Sequence, residues 1–255
     1  MTNVMDKPLL MFALSFIVLS LSARFGASVL RRRRKLDEDN RDEYNIIEAA
    51  TLTLLGLIIG FSFSMAISRY DQRKNYEAEE ANAIGTEYVR AALLPAAEAA
   101  NVRALLRTYL DQRVLFYTAR DEQQLRQINA RTAQVQTELW AAVLAPAAAQ
   151  PTPLSALAVS GMNDVLNSQG YTQAAWWNRI PIAAWSLMAA IAICSNVLIG
   201  YGARHDNAGG ILRLVLPLVV SISFFLIADI DSPRGGVIRV NPQNLTGLVE
   251  SLSAH

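Results

Sequence analysis

The sequence predicts an all-α integral membrane protein, with four transmembrane helices and a helical extramembrane bundle between helices two and three. Three observations predict it. Of the 255 residues, 52% are hydrophobic and 18% charged, where ordinary soluble domains carry about a quarter charged residues. The apolar residues fall into four long runs that lack acidic residues and nearly lack basic ones. The intervening polar stretch is rich in alanine and shows no strand alternation. Together these exclude a single soluble globular enzyme.

The first run covers residues 9–30 and contains Arg24 near its charged end. A bilayer core needs roughly 20 helical residues, so the run is long enough to span. Only Lys7 precedes it, and no small-x-small cleavage site closes it, so it reads as a signal anchor that is retained. A charged connector follows over residues 31–45, RRRRKLDEDNRDEYN.

The second run, residues 49–67, contains Gly56 and Gly60, a spacing of small residues that lets helices approach closely. It continues into residues 68–74 without glycine or proline, which predicts one long helix leaving the membrane unbroken. Thr53, Leu57, Gly60, Phe61 and Ser64 fall on or near one face. A ring of such helices would present apolar side chains to a central path, and hydrophobic constrictions can gate ions by dewetting. Ordinary helix packing through Gly56 and Gly60 is the competing explanation.

The third run, residues 180–201, has Trp176, Trp177 and Trp185 at its start and Tyr201 at its end, an arrangement expected of interfacial belts. Its single cysteine, Cys194, is expected as a small buried hydrophobe. The fourth run, residues 211–228, holds Arg213 near its start and Pro217 inside, where a kink is expected.

Residues 69–175 read as extramembrane helices. Pro95 divides the first from a second over about 96–119, with Val102, Leu106, Tyr109 and Phe116 on one face. A third, residues 121–145, carries Leu125, Ile128, Val135 and Leu139, with Thr132 and Ala142 filling the gaps. Pro146, Pro151 and Pro153 predict a linker, and a short helix over about 154–167 ends near Gly170. The dense charges of residues 69–90 predict a solvated helix face, with an ion-attracting vestibule or intersubunit pairing as alternatives. The domains are therefore 1–68, 69–175, 176–228 and a tail, 229–255, that opens with DIDSPRGG and ends amphipathically.

Net charge is +1, so no global field favours nucleic acid. Eight basic residues flank the runs on the side of the first connector and seven on the other. The compact cluster at residues 31–35 favours a cytoplasmic connector, and hence an external body. Enzyme motifs, a cofactor and a metal site are not expected: there are two histidines, one cysteine and no phosphate-cradling loop. Asp229 and Asp231 read as helix-end salt bridges or turn formers. A catalytic pair with Arg234, a cation site, and a pairing of Asp229 with Arg24 stand as alternatives. Arg24, Arg69, Asp229, Asp231 and Arg234 form the charged boundary.

Two stretches carry a resemblance. Residues 54–70 read LLGLIIGFSFSMAISRY, with NAIGT at 82–86 downstream; the other is DIDSPRGG at 229–236. On these the chain resembles the bestrophin-like membrane proteins of bacteria over nearly its whole length. It is more distantly similar to true bestrophins, through Gly60-Phe61 followed by Arg69-Tyr70. That resemblance implies a homo-oligomeric, pentameric anion channel in the bacterial inner membrane, multi-pass, with inorganic ions, lipid and its own copies as partners. The helical body would be cytosolic, opposite to the side the charge count favours. The neck would fall on Thr53, Leu57 and Phe61, with Thr53 departing from the bulky apolar type. No acidic run matches the bestrophin calcium clasp. A non-conducting scaffold or signalling protein, whose region 69–175 binds a partner, is the alternative.

Overall fold

A computed structural model describes residues 7–30, 40–202 and 212–254. The basic cluster at 31–35 and the residues around Arg204 lie outside them. The helices are α1 (Pro8–Phe25), extended by a π-helical stretch (Gly26–Leu30), α2 (Arg41–Arg90), α3 (Ala96–Thr118), α4 (Glu122–Ala149), α5 (Pro153–Trp177), α6 (Ile182–Gly202), α7 (Leu212–Asp231) and α8 (Gln243–Ser253). No strand occurs among the described residues. Among the described residues, four helices are long and apolar enough to cross a membrane. The chain divides into two compact units, Met1–Tyr70 with Arg179–Arg239, and Asp71–Asn178 with Val240–His255.

The first unit is the membrane bundle of α1, the first part of α2, α6 and α7. Leu19, Leu55, Trp185, Met188, Phe224 and Ile227 are among its core residues. α1 and α6 run parallel. A Cβ at Gly26 would stand 2.1 Å from the Val197 carbonyl oxygen, and one at Gly200 would stand 2.0 Å from that of Ala23. Only glycine admits so close an approach of two backbones. α7 returns antiparallel, with Phe225 edge-on to Phe12 and Phe224 edge-on to Trp185. α2 also opposes α6. Tyr44 near its start donates to the Leu198 carbonyl, and Tyr70 lies beside the Arg239 carbonyl at 3.5 Å.

The second unit is a helical body built from the rest of α2 with α3, α4, α5 and α8. The expected stripe on α3 is buried, and on α4 Ile128, Thr132, Val135 and Leu139 are buried while Leu125 is half-buried. The Thr132 hydroxyl donates to the Ile128 carbonyl at 2.8 Å, which lets a polar residue fill a core position.

Several expectations are corrected. α5 runs through Gly170 to Trp177. A helical glycine costs only about 1 kcal/mol, and the flanking Ser168 and Thr172 are buried in the body. The proline linker is shorter than expected because Pro146 lies inside α4. So near the helix end, its missing donor removes one hydrogen bond. α5 begins instead on a capping box between Thr152 and Ser155. Trp176 and Trp185 are core residues rather than belt residues, 6% and 4% exposed, and only Trp177 is open. Cys194 is exposed on the bundle's outer surface. α2 begins at Arg41, inside the stretch expected to be connector.

Candidate functional site: the outer face of α2 and the charged boundary

Within the membrane bundle α2 has two unlike faces. Leu55, Ser62 and Ala66 are buried, at spacings of seven and four that make one helical stripe. On the opposite side Thr53, Leu57, Gly60, Phe61 and Ser64 are all exposed. Leu57 and Phe61, one turn apart, are 51% and 60% exposed. No described residue stands within 4 Å of where a Cβ would be at Gly56 or Gly60, so none of the described helices packs there. The Thr53 hydroxyl donates to the Ala49 carbonyl at 2.8 Å, which hides its polarity along its own helix.

This face differs from the outer face of α1. There Leu9, Leu14, Ile17 and Leu21 are exposed hydrocarbon side chains. The exposed strip of α2 carries two glycines and two hydroxyls, with Leu57 and Phe61 standing beside them.

The charged boundary is a built corner. Asp229, 2% exposed, accepts from the backbone N–H of Val237 at 2.7 Å and of Ile238 at 2.8 Å. Gly236 is required there, because a Cβ would stand 2.4 Å from the Asp229 carbonyl oxygen. Asp231, 1% exposed, accepts from Arg179 Nε at 2.9 Å and from the Ile180 N–H at 3.2 Å, tying the end of α7 to the start of α6. The Ser232 hydroxyl accepts from the Gly235 N–H at 3.1 Å. Arg234 is half-buried beside it, and Arg69 is half-buried near the end of the membrane part of α2. The DIDSPRGG segment thus closes a turn on itself, and its carboxylates are matched by backbone donors and one arginine. Among the described residues no group of three or more metal-ligating side chains occurs.

The pairing of Arg24 with Asp229 is corrected. Arg24 is exposed in the last turn of α1, whereas Asp229 lies in the last turn of α7. The two helices are antiparallel, so these residues lie at opposite ends of the bundle.

In the body, the charges of residues 69–90 do not form one solvated face. Asp71, Lys74 and Glu79 are exposed, but Arg73, Glu77, Glu80 and Glu87 are buried at spacings of three, four and seven. Arg73 donates to the Ala175 carbonyl at 3.3 Å and that of Asn178 at 3.5 Å, at the negative end of α5. Glu77 accepts from the Leu245 N–H at 2.9 Å and from Asn244 Nδ2 at 2.6 Å, at the positive end of α8. Arg107 donates to the Leu252 carbonyl at the other end of α8, at 2.7 Å. Glu80 pairs with Arg113 and accepts from the Thr172 hydroxyl at 3.2 Å. Burial alone would push the Arg113 guanidinium down, but the Glu80 carboxylate holds it above its ordinary value. Burial, and then Glu80, push the Tyr109 and Tyr117 hydroxyls up. Glu87 has no such match. Both its oxygens are buried without a hydrogen bond, pressed against Gly161 of α5.

Gly26, Gly200 and the Glu80–Arg113 pair were not singled out in the sequence. Arg113 did leave a signal, a charge at the proper spacing inside the stripe of Tyr109 and Phe116.

The class defined by these features is an all-α membrane protein with four candidate spanning helices and a helical body between the second and third. Residues 11–245 match the Bestrophin-like domain, and the chain belongs to the Bestrophin-like family. It is similar in fold to a bacterial bestrophin homologue from Klebsiella pneumoniae, with 12% identity, 96% of this chain and 99% of that one covered, and a TM-score of 0.64. A point variant of that homologue gives 12% identity, coverage of 93% and 98%, and a TM-score of 0.64. A variant of a protein described as a membrane protein gives 12%, 93%, 98% and 0.60. No curated protein matches the chain.

Proposed function

We propose that the protein is an oligomeric ion channel that conducts anions, with the apolar neck formed by α2. The observation that carries this is the outer face of α2: small and hydroxyl-bearing residues flanking Leu57 and Phe61, with none of the described helices against Gly56 and Gly60. Spanning helices are predominantly apolar, and the faces on which they pack together are enriched in small residues. A ring of copies would turn this strip inward, with Gly56 and Gly60 allowing close approach. Leu57 and Phe61 would then form an apolar constriction, and Thr53 and Ser64 would border it with hydroxyls. Membership in the Bestrophin-like family supports this reading, and by resemblance the ring holds five copies. The membrane is the bacterial inner membrane.

Purified protein in planar bilayers tests it. The expected result is anion-selective current whose conductance or selectivity changes on Phe61→Ala. Absence of any current, together with a monomer on sizing, overturns it. Current that is unaltered by Phe61→Ala removes that residue from the neck.

A further inference from the structure

The corner that closes α7 carries an apolar tip. Residues 232–239 turn back on the helix, and the Asp229 carboxylate accepts from the backbone N–H groups of Val237 and Ile238. Val237 is 86% exposed and Ile238 39%. No other large apolar side chain among the described residues is as exposed as Val237. The depth of the tip follows from the bundle. α1 and α7 are antiparallel, with Phe12 edge-on to Phe225. Asp229 lies one turn beyond Phe225, and Leu9 lies about one turn before Phe12. Val237, whose N–H is 2.7 Å from Asp229, therefore stands level with the first turn of α1, where Leu9 is 76% exposed. This is the edge of the apolar span. Backbone at such depth needs its polar groups matched. The Asp229 carboxylate does this for both N–H groups of the tip.

The charge around the tip has one sign. Asp229 and Asp231 are 2% and 1% exposed and are matched inside the corner, so neither presents a carboxylate at the surface. Arg234 precedes the tip and Arg239 follows it, both half-buried. Arg239 uses only Nε in the corner, donating to the Gly236 carbonyl, and its Nη groups remain open to an outside acceptor. Lys7, exposed just before α1, adds a third cation at this end of the bundle. Hydrocarbon at the bilayer edge, bordered by cations alone, matches the boundary between acyl chains and anionic headgroups. Neutral lipid would accommodate the tip and leave the cations without a counter-charge. We infer that this corner is a contact site for anionic phospholipid, with Val237 and Ile238 among the upper acyl chains and Arg234 and Arg239 at the headgroup phosphate. The site lies at the end of α7 and does not depend on whether the protein conducts.

The test uses the full-length chain with Cys194→Ala and Val237→Cys, so that a bimane probe sits on the only cysteine. The protein is placed in phosphatidylcholine vesicles that contain a minor fraction of lipid brominated in the upper acyl chain. Bromine is expected to quench the probe more than iodide added to the water does. Quenching by iodide alone puts the tip in water and overturns the site. Quenching by neither shows the tip covered by another copy of the chain, and overturns it as well. The headgroup is tested by comparing brominated phosphatidylglycerol with brominated phosphatidylcholine. At low salt the anionic lipid is expected to associate about fivefold more tightly. That preference is expected to disappear at about 1 M salt, which screens exposed charges, and on joint Arg234→Gln and Arg239→Gln substitution. Equal association of the two lipids at low salt overturns the selection of anionic headgroups. Should the doubly substituted chain not fold, the salt series on the labelled parent decides alone.

Discussion

Glu87 shows how far one residue can depart from the behaviour its type suggests. A glutamate in a charged helical segment is ordinarily solvated, yet this one is fully buried and neither oxygen accepts a hydrogen bond. Burial pushes its pKa up to about 8; Arg90 on its own helix pulls the other way, and Asp164 on α5 adds to the rise. The folded state therefore holds a proton on Glu87 that the unfolded chain releases near the ordinary carboxylate value. Its contribution to stability is fully present below that value and is lost as pH rises through about 8. Thermal melts at pH values on either side of this window are expected to fall with rising pH for the wild type. Glu87→Gln, which is neutral throughout, is expected to melt higher than wild type on the alkaline side; an unchanged pH profile would remove Glu87 as the titrating group. Asp229 is the opposite case, a buried carboxylate with two backbone donors. Asp229→Asn keeps one acceptor and turns an amide N–H₂ toward a backbone N–H. The expected cost is about 2 kcal/mol, read as a lower melting midpoint.

At the scale of elements, the membrane bundle is set by where two backbones touch. Gly26 and Gly200 place the backbones of α1 and α6 together with no room for a side chain, whereas Gly202 makes room for the Tyr44 side chain. Gly56 and Gly60 look equivalent in sequence, yet they face open space. The two kinds of glycine predict opposite outcomes. Gly200→Leu forces α1 from α6 and is expected to lose folded protein on detergent sizing, since overpacking against rigid backbone costs about 1–3 kcal/mol or more. Gly56→Leu is expected to leave the single chain folded and to act on contacts between copies, read as altered oligomer size or conductance. Equal loss of folded protein in both variants would show that Gly56 packs within the chain. α8 is held at both ends by charge, with Glu77 at its N-terminus and Arg107 at its C-terminus. Each charge opposes the end of the helix dipole it meets.

At the scale of the whole molecule, α2 belongs to both units, contributing to the membrane bundle up to Tyr70 and to the body from Asp71. In the membrane part its buried stripe is Leu55, Ser62 and Ala66; in the body Arg73, Glu80 and Glu87 are buried. The outer strip of its membrane part is left without a partner among the described residues. A ring of copies predicts that an image of the purified oligomer shows α2 helices surrounding an axis, with α1 outermost. An image with α2 turned to lipid would reject the channel reading and favour the scaffold alternative.

Much of the fold was legible because the signals are local. Twenty apolar residues in a row need no tertiary information to predict a span, and uninterrupted helix formers from the second run into residues 68–74 predicted the long α2. The family resemblance likewise rested on contiguous motifs, residues 54–70 and 229–236. The burial of single residues was not legible, because it depends on which neighbour arrives. Trp176 and Trp185 carried the pattern of an interfacial belt and became core, Glu87 carried that of a solvated face and was buried, and Gly170 carried a stop signal that packing overrode. The sequence by itself determined the number and length of the spans, since hydrophobic length is a property of the chain. Only the tertiary structure decided that DIDSPRGG is a self-satisfied corner and that Gly26 and Gly200 are the close contacts. It alone separated the outer face of α2 from the inner. The physical reason is that a carboxylate, a glycine or an apolar face takes its meaning from the partner opposite it, and partners are chosen by folding.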